Sequence, residues 1–218
     1  MNDGVLSIVL QWSLICVVWM GSLDKQLHRL HLNRRSALVI LTVTLICAFT
    51  SWRLYFFPVD VNVSGAVIPL FLACWSWLHL PKQGKTVLIL AAFLFACALY
   101  FARLFAFRDP VLLVWDEKLL LPALLITVLV FLTRNWQVHW FIILVAFPLA
   151  DAFYTLHFLD KGAESQIGGA KTQDFLWCTI CLWTALMSLY FTLQKSVVWS
   201  YRRFVRTFKL RTKTHSHR

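Results

Sequence analysis

The chain's fold follows from the stretch Val138–Phe158, VHWFIILVAFPLADAFYTLHF, a mostly apolar run in which Asp151 is the single Asp, Glu, Lys or Arg. A helix needs about 20 mostly apolar residues to cross the hydrocarbon core of a bilayer. This stretch therefore predicts a membrane-spanning helix, and Asp151 lies inside it. A charge at mid-bilayer costs about 2.5–3.5 kcal/mol on insertion scales, so the carboxylate is expected to face the protein interior and to have a partner.

The composition extends this interpretation to the whole chain. Of 218 residues, 60% are hydrophobic and 14% are charged, with eleven Trp and eighteen Phe. A soluble domain averages about 45–50% apolar and about 25% charged residues. The chain is therefore predicted to be an integral membrane protein.

Seven apolar stretches are predicted to span the bilayer, which makes the fold class all-α, a polytopic helical membrane bundle. They are residues 4–23, 36–52, 61–81, 86–107, 119–133, 138–158 and 175–194. The fifth is the shortest, at about 22 Å of helix. It is accepted because Lys118 and Arg134 at its ends can extend their side chains outward to the interface.

Basic residues set the predicted orientation. With seven spans, fifteen of the twenty-one Lys and Arg residues fall on one side, including Arg29, Arg34, Arg35 and the C-terminal segment. Cytoplasmic loops carry the excess of Lys and Arg. The N-terminus is therefore predicted outside and the C-terminus in the cytoplasm, with a transmembrane domain at 1–194 and a basic tail at 195–218.

Helix rise suggests a partner for Asp151. Measured from the cytoplasmic ends of their spans, Asp151 lies about 20 Å up and Arg103 about 26 Å up, within reach of an arginine side chain. Arg103 is the expected partner and Arg53 the second choice; no other carboxylate is expected inside the bundle. The same outer end is expected to carry a rim formed by Asp60, Arg108, Asp116 and Glu117.

Two interpretations of this pair remain open. In one, Arg103 and Asp151 form a buried ion pair that fixes helix register. In the other, they line an outward-facing cavity that binds a small polar solute or relays protons, as intramembrane charges often do.

Two segments near the outer end are given local structures. In NVSGAVIPL, residues 62–70, Asn62 or Ser64 is expected to cap a helix that Pro69 begins, and Gly65 allows close helix approach. Residues 162–169, rich in Gly and polar side chains, are expected to form a flexible external loop.

The tail is predicted to be a basic amphipathic helix at the membrane surface. Tyr201, Phe204, Val205 and Phe208 recur at helical spacing. The intervening residues Arg202, Arg203, Arg206 and Lys209 are expected to contact anionic lipids. Plain topological charge is the alternative, and nucleic acid is not expected as a partner.

Motifs for catalysis and cofactors are missing from the sequence. It contains no Gly-rich phosphate loop, no H-E-x-x-H and no G-x-S-x-G. The six cysteines lie in apolar runs and the histidines are dispersed, so neither disulfides nor a metal site is expected. No cofactor and no enzyme activity are predicted.

The chain resembles the YphA-like multi-pass membrane proteins of spore-forming Bacillota. The matching segments are GVLSIVLQWSLICVVWMGSL at 4–23, the basic DKQLHRLHLNRR at 24–35 and NVSGAVIPL at 62–70. The resemblance implies a multi-pass protein of a bacterial cytoplasmic membrane with a link to sporulation, and supplies no catalytic residues.

The expected function is that of a structural or accessory bilayer protein acting through membrane partners. The alternative is a small-solute transporter, or a transporter subunit, with an outward-facing polar cavity at Arg103 and Asp151.

Overall fold

A computed structural model describes residues 3–80, 84–108, 116–133, 135–159 and 166–215. For residue 195 and residues 197–215 it describes the backbone alone. The chain divides into two compact units, Met1–Leu182 and Trp183–Arg218. The site described below lies within the first unit.

Helices make up most of the described chain. They are α1 (Val5–Trp19), α2 (Asp24–Arg29), α3 (Arg34–Thr50), α4 (Ile68–His79), α5 (Lys85–Arg108), α6 (Glu117–Leu132), α7 (Trp136–Phe158) and α8 (Ala170–His215), with a π-helical turn at Val63–Val67 leading into α4. Three short strands accompany them: β1 (Arg53–Phe56), β2 (Val59–Asn62) and β3 (Gln166–Ile167).

Helix α7 is the core of the first unit. It packs against α4 and α5, while α1 packs against α3 and α6 contacts α5. In the most apolar 18-residue stretch of α7, 56% of the residues are buried, whereas in that of α5 the share is 22%. Ile143 and Ala146 of α7 are fully enclosed. The helix that carries Asp151 is therefore surrounded by protein, and the others present one face outward.

The outward faces are apolar, as a bilayer requires. Phe71 on α4, Val87 on α5 and Phe131 on α6 are 69%, 67% and 85% exposed. Among the described residues, three helices are long and apolar enough to cross a membrane, at Lys85–Arg108, Trp136–Phe158 and Ala170–Gln194. Shorter apolar helices lie at Val5–Trp19 and Val63–His79.

The structure is mostly helical, as predicted, but the prediction missed a small sheet that the three strands form at one end of the bundle. Strands β1 and β2 pair antiparallel, with Arg53 opposite Asn62, and β2 pairs parallel with β3. The β-branched residues Val59 and Val61 alternate with polar ones in β2, a pattern typical of a strand. The predicted third span at 61–81 therefore begins two residues too early, since the helical turn starts at Val63.

The start of this helix follows the predicted capping. The Asn62 side chain accepts hydrogen bonds from the amides of Ser64 at 3.0 Å and Gly65 at 3.4 Å. Pro69 lies in the first turn of α4, directly after the π-helical turn at Val63–Val67.

Part of the predicted loop 162–169 is instead tightly placed. Residues 162–165 lie outside the described part of the chain, but Gln166 and Ile167 form β3 and Gly168 packs against Gly65. A Cβ added to Gly65 would lie 2.1 Å from the Gly168 carbonyl oxygen. Gly168 has φ +73°, which favours glycine. The close approach expected of Gly65 thus brings it against the backbone that precedes α8.

Gly65→Ala should destabilise the protein by about 2 kcal/mol or more, because rigid backbone on both sides leaves no room for the new methyl group. Gly169→Ala is the matched control, since a Cβ there meets its nearest neighbour only at 3.9 Å. Thermal unfolding of the detergent-purified variants measures the difference. Equal melting temperatures for both variants would contradict the packing described here.

Candidate functional site: a buried ion pair at one end of the bundle

The centre of the site is the ion pair of Asp151 and Arg103. Asp151 on α7 is 4% exposed and Arg103 on α5 is 8% exposed. The Arg103 Nη1 atom donates a hydrogen bond of 2.7 Å to Asp151 Oδ1. The structure therefore brings together the two residues that the helix-rise argument placed at similar heights.

The second carboxylate oxygen of Asp151 is also engaged. The backbone amide of Gly168 donates to Asp151 Oδ2 at 2.6 Å. The carbonyl of Gly168 accepts a bond from Gln173 Nε2 at 3.2 Å. Asp151 thus connects α5, α7 and the segment that leads into α8, a role that the sequence did not indicate.

Two aromatic rings enclose the Arg103 guanidinium. Its Cζ atom lies 4.5 Å from the ring centre of Tyr154 and 5.4 Å from that of Phe175. Attraction between a cation and a desolvated aromatic face contributes about 2 kcal/mol. Its Nε atom is buried and has no hydrogen-bond partner within the described part of the chain. The charge is therefore stabilised by one carboxylate and two ring faces.

A small polar cleft lies beside this pair. It has a volume of about 220 Å³ and is lined by Arg103, Ala106, Phe107, Glu117, Tyr154 and Lys171. Lys171 Nζ and Glu117 Oε2 are 2.8 Å apart across it. The cleft combines two cations with one carboxylate, and the carboxylate of Asp151 lies behind Arg103.

The predicted rim residues fall in different places. Glu117 lines the cleft, whereas Asp116 caps α6 by accepting from the Lys118 amide at 3.1 Å. Arg108 is exposed at the end of α5, and Asp60 is half-buried on β2. Arg53, the second choice as partner of Asp151, lies exposed on β1 instead, because residues 53–56 form an edge strand rather than the end of a helix.

The structure contains a second buried cluster of charges that the sequence did not predict. Asp174 is fully buried and lies 2.8 Å from Lys118 Nζ, which also contacts Asp3 at 2.7 Å. The carboxylate of Asp174 accepts from the amides of Gly4 at 3.0 Å and Ser7 at 2.8 Å, so it caps α1 from another helix. Two expectations are corrected: Asp151 is not the lone buried carboxylate, and Lys118 does not extend outward.

This cluster has a direct electrostatic consequence for Asp3. The hydrogen bond from the Lys118 ammonium lowers the pKa of the Asp3 carboxyl below its usual value. A lowered pKa in the folded state favours folding at neutral pH, and that contribution is lost as the pH falls through the folded-state pKa. Because the Asp3 side chain is 56% exposed, solvent screening keeps the effect small.

The remaining predicted contacts are not described by the structure. The side chains of Arg202, Arg203, Arg206 and Lys209 lie outside its described part, although their backbone is helical within α8. Arg134, expected to lie at the end of the fifth span, is also outside it. Within the described residues, no group of three or more His, Cys, Asp or Glu side chains could hold a metal ion.

Comparison with known proteins identifies the family. The family model described as YphA-like integral membrane protein matches residues 3–209, and the chain belongs to this family. The resemblance inferred from the N-terminal segments and NVSGAVIPL is thereby confirmed. Neither a curated protein nor a solved structure matches the chain.

Asp151→Asn should lower the melting temperature by about 10 °C, because it leaves the Arg103 charge buried without its counterion, at about 3–5 kcal/mol. The double variant Asp151→Asn/Arg103→Gln removes both charges and should recover most of that loss. Thermal unfolding in detergent measures both effects.

The control is Asp60→Asn, which makes the same chemical change at a half-buried position on β2. It should shift the melting temperature by much less. A silent Asp151→Asn, or a double variant less stable than either single one, would show that the pair does not stabilise the bundle.

Proposed function

We propose that the protein is a structural or accessory component of the cell membrane that acts through contacts with other membrane proteins. In this proposal the chain crosses the bilayer seven times, with its N-terminus outside and its C-terminus in the cytoplasm. It carries out no chemical reaction and binds no cofactor.

Several features support the seven-span arrangement. Helices α1, α3, α4 with its π-helical turn, α5, α6, α7 and the stretch Ala170–Gln194 of α8 coincide with the seven apolar stretches. Helix α1, with 15 residues, covers about 22 Å, less than the roughly 30 Å hydrocarbon core, so flanking residues must complete the crossing. The segregation of basic residues supports the orientation.

The accessory role is supported mainly by the pairing of the buried charges with one another. Asp151 and Arg103 are paired, Asp174 and Lys118 are paired, and each pair joins helices that are distant in sequence. Such pairs hold the bundle in one arrangement. A transport pathway instead needs charged groups that exchange partners as the solute passes.

One observation favours the alternative, a small-solute transporter or transporter subunit. The cleft of about 220 Å³ is lined by three charged side chains, those of Arg103, Lys171 and Glu117, and Arg103 is also paired with Asp151. Positive and negative side chains in one small cleft suit a small zwitterion. Binding there would have to displace Glu117 from Lys171, since the two are 2.8 Å apart.

The orientation predicts opposite accessibility of the two chain ends. With Cys16 and Cys74 replaced by Ser, a cysteine in an N-terminal tag should react with a membrane-impermeant maleimide on intact cells. A cysteine in a C-terminal tag should react only after the cells are permeabilised. Equal reactivity of the two ends before permeabilisation would contradict an odd number of spans.

The accessory role predicts specific protein neighbours on the apolar faces. A photo-crosslinking amino acid at Ile46, Phe105 or Phe131, all more than half exposed, should give discrete adducts with other membrane proteins in cells. The matched controls are Leu129 and Ile143, both 0% exposed, which should give none.

Lipid adducts alone at every exposed position would contradict the accessory role. If a small zwitterion then raised the melting temperature of the wild type but not that of Lys171→Gln, the transporter would be the better assignment.

A further inference from the structure

A large apolar groove runs along α4, from Leu70 near the start of this helix to Leu78 near its end. It runs between α4 and α5 with α7 as its base and has a volume of about 650 Å³. Its lining includes Ala73, Cys74 and Trp77 of α4, Ala92 of α5, and Phe141 and Val145 of α7. Volumes of about 300–1,000 Å³ are typical of pockets that bind small molecules.

The shape of the groove suits a flexible hydrocarbon chain. Ala73 and Ala92 are 2% and 1% exposed, and their small side chains leave space between α4 and α5 above α7. Phe71 and Phe93, 69% and 48% exposed, form part of its walls. A narrow apolar channel accommodates a chain that can bend, and its walls contribute many dispersion contacts.

A positive charge lies beside the part of the groove that Trp77 lines. Lys85, in the first turn of α5, donates from Nζ to the Trp77 carbonyl oxygen at 2.8 Å and lies 4.9 Å from the Trp77 ring centre. An ammonium has three donors, and among the described residues one of those of Lys85 has an acceptor, the Trp77 carbonyl. The first turn of α5 contains no acidic residue, and a helix N-terminus itself attracts anions.

Aromatic and imidazole rings also pack together on the last two turns of α4. Trp75 lines the groove and lies 5.1 Å from the ring of His79, which stacks on His31 at 5.2 Å. Tryptophan concentrates at the headgroup level of membranes. The apolar groove therefore ends, at Trp77, beside the ammonium of Lys85.

We propose that this groove binds one anionic phospholipid, with an acyl chain between α4 and α5 and the headgroup phosphate at Lys85. Under the proposed orientation this is a lipid of the cytoplasmic leaflet. The assignment requires a membrane-embedded chain, but it does not depend on the accessory role, so its failure leaves that role untouched.

Cysteine reactivity in the intact protein tests the site. Cys74 lines the groove and Cys16 on α1 does not, and both are exposed. In detergent, added phosphatidylglycerol should slow the alkylation of Cys74 by N-ethylmaleimide and leave that of Cys16 unchanged. Peptide mass spectrometry reads both thiols from the same sample.

The headgroup is tested with phosphatidylcholine of identical acyl chains. Phosphatidylglycerol should protect Cys74 at about fivefold lower concentration, which corresponds to about 1 kcal/mol for one basic side chain near an anionic headgroup. Lys85→Gln should remove this difference. Lys25→Gln, which neutralises a lysine on α2, should retain it. Buried Cys178 should stay unalkylated in each variant that is folded.

Three results would overturn the proposal. Equal protection of Cys16 and Cys74 would mean that lipid only coats the surface. A phosphatidylglycerol preference that survives in Lys85→Gln would place the headgroup elsewhere. Protection that increases with protein concentration rather than lipid would place a second copy of the chain in the groove.

Discussion

One end of the bundle depends on the hydrogen bonds that the Asp151 carboxylate accepts. Each of its oxygens accepts one strong hydrogen bond, from the Arg103 guanidinium and from the Gly168 amide. These bonds to a charged acceptor offset the cost of placing the group within a membrane helix. Because Gly168 also touches Gly65, the same carboxylate fixes how closely the small sheet and the start of α4 approach α7.

The Asp174 cluster applies the same principle to α1. The first backbone amides of a helix have no hydrogen-bond acceptor within the helix. Inside a membrane, water cannot supply one either. Asp174 accepts from two of them and is neutralised by Lys118. A lysine at a span end usually extends to the interface, but here two carboxylates draw it inward.

The sequence predicted the features that depend on local patterns of residues. It did not predict those that depend on packing between distant parts of the chain. Hydropathy located the helices, and the helix rise of about 1.5 Å per residue placed Arg103 near Asp151. Asp174 resembled a loop residue because it precedes an apolar run, and only its packing against Gly4 and Ser7 buries it. Strand β3 could not be found either, since two residues carry no periodicity and its pairing partner lies more than a hundred residues away.

The two ends of the bundle differ in what holds the helices together. At one end, ion pairs with fixed geometry set helix register, and they leave little freedom for the residues involved. Near the α4–α5 connection, the contacts are apolar and small side chains leave an open groove. Dispersion contacts tolerate exchange of partners because no buried charge is exposed when they separate. If binding partners or lipids come and go, the apolar end is therefore where they can do so without disrupting the fold.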